Sequence, residues 1–244
     1  MAVNERQQAR SSACYRARVE IAVVIPALDE SAVIADAIAS ASAPGVQVVV
    51  VDGGSRDGTA GRAMALGAEV IASAPGRARQ LQRGFEHSRG EVVLFLHADT
   101  CLPAGWDVAV REVLADPGVS GGAFRFGFGV STEKLGWALR LVELGTHMRH
   151  VAFGLPYGDQ GIFVRREVVE AIGGIPQVAL MEDLDLVSAM KGYGRLARVP
   201  GSVVTSPRRY ARHGVGRTVF WHSVALAARA VGVERERIAG WLGR

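Results

Sequence analysis

Short β-branched runs alternate with segments of helical pattern through the first half of the chain. The runs are 21–25, 46–51, 69–72 and 92–96. Apolar runs of this length are typical of strands buried on both faces, as in a parallel sheet covered by helices on each side. The βαβαβαβ order predicts an α/β fold with a mostly parallel, doubly wound sheet and right-handed crossovers. Such sheets bind ligands in the crevice beyond the carboxyl ends of their strands. Acidic residues follow three of the runs: Asp29-Glu30 after the first, Asp52 after the second, and His97-Ala98-Asp99 after the fourth. If those strands are neighbours, the carboxylates line one rim where a metal and a polyphosphate can meet.

Between the runs, residues 31–42 read as a helix with Ser31 as its cap. Further helices are expected from Asp57 to Gly67, from Arg77 to Ser88, and after Pro103. Beyond Pro117-Gly118 the texture changes. Gly121 to Phe128 reads as an edge or bent strand whose glycines permit a bulge or a close approach. Residues 132–150 read as a helical cover, Asp159 to Val164 as a strand, and Met181 to Met190 as a helix. The expected organisation is a flexible segment over 1–18, one domain over 19–214 and a helical extension over 215–244. That extension carries Val219, Phe220 and Trp221 and is read first as docking on the domain. Association into a homodimer or contact with a membrane surface stays open for it.

The 244 residues are 49% apolar and 21% charged, enough apolar material for a sizeable core. The net charge of +4 comes mostly from arginine. It suits anionic small molecules or a lipid surface and does not demand nucleic acid. Cys14 and Cys101 lack metal-ligand spacing, so reduced thiols and a cytoplasmic setting are expected, with the inner membrane face as a possible peripheral location. No apolar run reaches the length of a membrane span.

The chain has neither a Gly-x-x-x-x-Gly-Lys-Ser/Thr loop nor a Gly-x-Gly-x-x-Gly turn after its first strand, which argues against the common routes to nucleotide hydrolysis and nicotinamide binding. Asp52 alone reads as a turn residue before glycines; beside a nucleotide it reads as a base or ribose acceptor. In extended backbone His97 and Asp99 point in similar directions past small Ala98. Asp99 suits a hard cation, Mn²⁺ or Mg²⁺, which binds oxygen and uses one carboxylate plus substrate phosphates. Glu182-Asp183 at a helix start either complements the helix dipole or supplies a general base. Asp185, two positions on, points elsewhere and reads as structural. Arginines in Gly76-Arg77-Ala78-Arg79-Gln80 and in Ser206-Pro207-Arg208-Arg209-Tyr210 match diphosphate oxygens or simply solvated surface.

In their order, four segments resemble the family 2 glycosyltransferases with a GT-A fold. They are Ile25-Pro26-Ala27-Leu28-Asp29-Glu30, Val50-Val51-Asp52-Gly53-Gly54-Ser55-Arg56-Asp57-Gly58-Thr59, His97-Ala98-Asp99 and Met181-Glu182-Asp183. Gly76 to Gln80, Leu94 to Asp99 and Tyr157 to Phe163 are similar to the bacterial subgroup called selenodomain-associated transferase 2. The resemblance implies transfer of a sugar from a nucleotide-diphosphate-sugar to an acceptor hydroxyl, with inversion. Pro26, Ala27, Glu30 and Asp52 would surround the nucleoside, and Arg79 would approach it or the diphosphate. His97-Ala98-Asp99 stands at the family's Asp-x-Asp motif, with Asp99 at the metal carboxylate. Asp183 would be the base, Gln160 and Glu182 would shape the sugar or acceptor pocket, and Arg208 or Arg209 would meet diphosphate or acceptor. His97 replaces an acidic residue, and Asp29 stands where asparagine is common. The alternative is a non-catalytic sugar-nucleotide-binding or scaffold protein of the same fold; nucleotidyl transfer ranks last.

Overall fold

The structure, a computed structural model, describes residues 19–128, 136–153 and 158–241, without the side chains of residues 147–153, 158, 209 and 230. The segment 1–18, Cys14 and Tyr157 lie outside the described residues. Among the described residues eight strands form one sheet: β1 (Ile21–Ala27), β2 (Val46–Asp52), β3 (Glu69–Ala72), β4 (Val92–Phe95), β5 (Thr100–Cys101), β6 (Val119–Phe128), β7 (Ile162–Arg165) and β8 (Arg195–Thr205). Their order is β3-β2-β1-β4-β7-β6-β8-β5. The β3-β2-β1-β4 half is parallel throughout, as is the β6–β8 pair, whereas β7 runs antiparallel to β4 and β6, and β5 to β8. The sheet is therefore mostly parallel, as expected.

Ten helices accompany these strands among the described residues: α1 (Ile34–Ala41), α2 (Thr59–Ala65), α3 (Arg77–His87), α4 (Trp106–Leu114), α5 (Gly136–Phe153), α6 (Arg166–Ile172), α7 (Glu182–Met190), α8 (Arg208–His213), α9 (Val215–Ala230) and α10 (Arg235–Trp241). A 3₁₀ turn, Gly158–Gln160, precedes β7. Alternation along β1 splits the core in two. Ile21, Val23 and Ile25 meet Ile34 and Ile38 of α1 and Trp106 and Val110 of α4. On the other face Val24 shares a cluster with Leu81 and Phe85 of α3, Val168 of α6 and Leu186 of α7. Helix α1 buries Ile34, Ala37, Ile38 and Ala41, the i, i+3, i+4, i+7 stripe that a core-facing helix needs. Ser31 does not cap it. The Ser31 amide donates to Asp57 Oδ2, and α1 starts from a turn in which Val33 and Ile34 donate to the Glu30 carbonyl.

The second half corrects two expectations. β6 is bent, with register shifts after Val119 and Ala123, but it is an interior strand between β7 and β8, not an edge. β8 covers it, and no strand was expected over 195–205. Gly122 makes this packing possible: a Cβ there would lie 2.1 Å from the Ala197 carbonyl oxygen and 2.7 Å from Phe163 Cζ. Gly122→Ala is thus expected to destabilise the fold by about 2 kcal/mol or more, because backbone and a buried ring must both yield. A urea melt checks this; an unchanged midpoint would show that β8 is not pressed against β6 as described.

The chain order β1, β2, β3 runs outward in one direction, and β4 then returns to the other side of β1. That reversal opens a crevice at the carboxyl ends of β1 and β4. The β1–β4 register pairs Val24 with Phe95, which continued by two residues brings His97 level with Pro26. Ala27 pairs with Asp52 across β1 and β2, so the acidic strand ends do share one rim.

Candidate active site

The loops after β1 and β2 are tied into one ledge. The Asp29 amide donates to Ser55 Oγ (2.9 Å), Asp29 Oδ1 accepts from the Arg56 amide (2.8 Å), and the Glu30 amide donates to Thr59 Oγ1 (2.9 Å). Asp57 accepts from the Thr59 hydroxyl, the Thr59 amide and the Ser31 amide, and these bonds hold its carboxyl well below the usual range. Asp29 has a left-handed backbone with φ of 53°, a conformation that Asp and Asn tolerate better than other non-glycine residues. Its short side chain supports the loop, which accounts for a position where either residue fits.

Asp52 Oδ2 accepts the amides of Gly54 and Ser55, both at 3.0 Å. Its Oδ1 is buried and has no hydrogen-bond partner among the described residues, so the ledge presents an acceptor open to a further donor. Gln80, buried on α3, donates from Nε2 to the carbonyls of Ala27 and Val51, each at 2.9 Å, and pins the β1 and β2 ends together. In the sequence Gln80 stands out only as the last residue of the Gly76–Gln80 segment. Pro26 is half-buried and Ala27 buried, so their contribution to the ledge is mainly backbone.

A second group forms where β5 pairs with β8. The Thr100–Thr205 pairing and a hydrogen bond from the Ser206 amide to the Asp99 carbonyl (3.0 Å) carry α8 over the rim. Arg208 Nε lies 3.3 Å from Asp99 Oδ2, and its Nη2 lies 2.5 Å from the Glu30 carboxylate. Two carboxylates from the ends of different strands thus face one cation, although Glu30 and Arg208 are far apart in sequence. Burial pushes the Glu30 carboxyl up; Arg208 opposes that, while Asp99 and Asp57 add to it. The side chain of Arg209 lies outside the described residues. Tyr210 packs edge-on to Phe128 with ring centroids 5.1 Å apart.

The third group lies on the other side of the His97-Ala98-Asp99 turn. Arg77 Nε is hydrogen-bonded to Glu182 Oε1, its Nη2 lies 3.3 Å from Asp183 Oδ2, and its Nη1 lies 3.1 Å from His97 Nε2. Guanidinium only donates, so His97 Nε2 is the acceptor in this contact. Burial disfavours the Arg77 cation, but Asp183 and Glu182 outweigh it and hold the guanidinium above its ordinary pKa. Glu182 is 3% exposed, and Asp183 Oδ1 accepts from the Leu184 amide (2.9 Å). Arg77, His97, Glu182 and Asp183 line a cleft with Phe95 and Ile162 among its apolar walls.

Arg79 does not join Arg77 in lining this cleft: it is exposed and donates from Nη1 to the Pro75 carbonyl at 3.1 Å. Arg77 is the arginine of that turn that reaches the acidic residues. Helical spacing contained the signal, since Arg77 shares a face with buried Leu81 at i+4. Gln160 is buried and donates to the Phe124 carbonyl (3.1 Å) beside β7. The structure therefore gathers Glu30, Asp52, Asp99 and Arg208 on one side of the crevice, and His97, Arg77, Glu182 and Asp183 on the other. Among the described residues no three His, Cys, Asp or Glu side chains are placed to hold a metal together. No helix among them is long and apolar enough to cross a membrane.

The family model described as "Glycosyl transferase family 2" matches residues 22–173, more than half of the chain. The chain belongs to glycosyl transferase family 2. A glucosyl-3-phosphoglycerate synthase of Mycolicibacterium paratuberculosis is 38% identical over 96 residues, covering 34% of this chain and 29% of that protein. The chain thus matches under a third of that relative's length. Among solved structures, glucosyl-3-phosphoglycerate synthase from Mycobacterium tuberculosis, in complex with Mn²⁺, uridine diphosphate and glucosyl-3-phosphoglycerate, superposes with a TM-score of 0.62. It shares 21% identity, over 90% of this family 2 chain and 82% of the other. A mannosyltransferase from Pyrobaculum calidifontis, in complex with GDP-mannose and Mn²⁺, gives a TM-score of 0.61 at 21% identity, over 90% and 70% of the two chains. At these identities the likeness is one of architecture, and it is the GT-A architecture expected from the resemblance.

Proposed function

We propose that this family 2 chain transfers a sugar from a nucleoside-diphosphate-sugar to an acceptor hydroxyl by a single displacement with inversion. The observation that carries this reading is the division of the crevice into a donor ledge around Asp52 and Asp99 and a facing carboxylate, Asp183. The unpartnered Asp52 Oδ1 suits a donor group of the nucleoside. Glu30 and Asp99 already hold a guanidinium between them, so the place favours positive charge. Asp99 and Glu30, which share that guanidinium, offer only oxygen donors, and such a pair fits a hard cation completed by phosphate oxygens. When bound there, Mn²⁺ or Mg²⁺ supplies electrostatic stabilisation to the departing diphosphate. The UDP, GDP-mannose and Mn²⁺ of the two structural relatives support the same class of donor.

In this reading Asp183 takes the proton of the acceptor hydroxyl as its oxygen bonds to the anomeric carbon. The bond from that carbon to the diphosphate breaks, and the electron pair leaves with the phosphate oxygen. Arg77 keeps Asp183 and Glu182 oriented, and Arg208 is within reach of the diphosphate once Asp99 and Glu30 turn to the donor. Within the family, Gly76–Gln80 and Leu94–Asp99 support placement with the selenodomain-associated transferase 2 subgroup. A thermal-shift matrix of UDP- and GDP-sugars with and without Mn²⁺ tests donor binding. One donor is expected to stabilise the fold by about 2.7 kcal/mol when present at a hundred times its Kd with metal. Release of nucleoside diphosphate, with phosphoglycerate as the first acceptor tried, tests transfer. Binding without release over a broad acceptor screen would favour the non-catalytic reading.

A further inference from the structure

Helix α7, which begins with Glu182 and Asp183, is secured in two different ways. Its body is fixed by the sheet, since Leu186, Val187 and Met190 are buried in the cluster that includes Val24 and Val93. Its first turn has other supports. Met181 enters the helix with φ of 63°, a left-handed setting in a residue other than glycine. Such a setting persists only when its surroundings impose it. Those surroundings are α9 and α10. Leu180 is buried with Ala225, Ala228 and Ile238, and Met181 and Val233 pack against that cluster. Arg235 Nη1 donates to the Leu180 carbonyl at 3.0 Å. The same nitrogen lies 2.6 Å from Asp185 Oδ2, and Arg229 Nη2 lies 2.7 Å from Asp185 Oδ1. Both oxygens of Asp185 are thus held by the C-terminal helices, one from each. Burial disfavours the Asp185 charge, yet Arg235 and Arg229 hold its carboxyl below the usual range.

We propose that α9 and α10 are the brace that fixes the acidic turn Met181–Asp183 against the crevice, with Arg235 and Asp185 as positioning residues for Asp183. The catalytic half of this inference rests on the proposed role of Asp183. Asp185 needs no contact with substrate to act. It stands in the first turn of α7, and its amide donates to the Met181 carbonyl at 3.3 Å. Releasing Asp185 frees the turn to leave its left-handed entry, and the carboxylate two residues earlier moves with it. A misplacement of about 1 Å at a reacting group can cost on the order of a hundredfold in rate.

The test uses the full chain with Arg235→Gln, Arg235→Lys and Asp185→Asn. Amide exchange over residues 181–185 is expected to accelerate about tenfold or more in Arg235→Gln while β1 and β4 amides stay unchanged. Turnover at saturating donor should fall by about tenfold or more with donor Kd little altered, and Arg235→Lys should restore part of both. Asp185→Asn removes the same tie from the other side and carries the test should Arg235→Gln fail to fold. Unaltered exchange over 181–185 in the folded variants would overturn the inference, as would a lost donor affinity with unchanged turnover. Asp183→Asn is assayed alongside. If it retains turnover, the base assignment is wrong, and the brace is then judged on exchange alone.

Discussion

Asp183→Asn is expected to lower sugar transfer by about a thousandfold or more while leaving donor affinity nearly unchanged, in line with the contribution of a positioned general base. The substitution is close to isosteric, and the amide oxygen can still accept the Leu184 amide that Asp183 Oδ1 now accepts. Glu182 keeps its own bond to Arg77, so the acidic turn retains an anchor. What disappears is an anion able to take a proton from the acceptor. Donor titration by calorimetry and single-turnover transfer separate the two effects. A folded Asn variant that still transfers at the native rate would remove Asp183 from the mechanism and move attention to Glu182, its neighbour on the same guanidinium.

The second large effect is expected at Asp99. Asp99→Ala should abolish the dependence of donor binding on Mn²⁺, with a loss of about a hundredfold in metal-assisted affinity. Arg208 complicates the pathway but not the sign. In the structure it bridges Glu30 and Asp99, so a cation held by Asp99 would take the place of that guanidinium contact. Without Asp99, Arg208 keeps Glu30 alone, and the remaining affinity should come from the ledge around Asp52. Nucleoside diphosphate titrated into both proteins, with and without Mn²⁺, reads this directly. Equal metal dependence in Asp99→Ala would place the cation elsewhere.

The parallel half of the sheet was legible because each of its strands is an apolar run, and the carboxylates after them could only fall at strand ends. The second half was harder for physical reasons. β8 contains Arg195, Arg198, Pro200 and Gly201, and many of its residues face solvent, so neither its composition nor its alternation marks a strand. β6 is rich in glycine because neighbouring backbone presses on it, a property of its partners and not of its own sequence. The site divides in the same way. Local position puts Asp52 and Asp99 at strand ends and Asp183 at a helix start, and the roles proposed for them came with the resemblance. The pairing of Glu30 with Arg208, the reach of Arg77 past Arg79, and the left-handed Met181 depend on contacts between distant segments. Asp185 is instructive: its direction away from Asp183 was readable from helical spacing, but the arginines it meets were not.

The configuration of the transferred sugar tests the central claim most directly. Proton magnetic resonance on the product at early times, with the donor's own anomeric form as reference, distinguishes the outcomes before mutarotation or hydrolysis intervenes. A single displacement across the crevice, with Asp183 as base on one side and Asp99 beside the diphosphate on the other, is expected to give the opposite anomeric configuration. A product that retains the donor's configuration would contradict it, whatever the donor and acceptor prove to be.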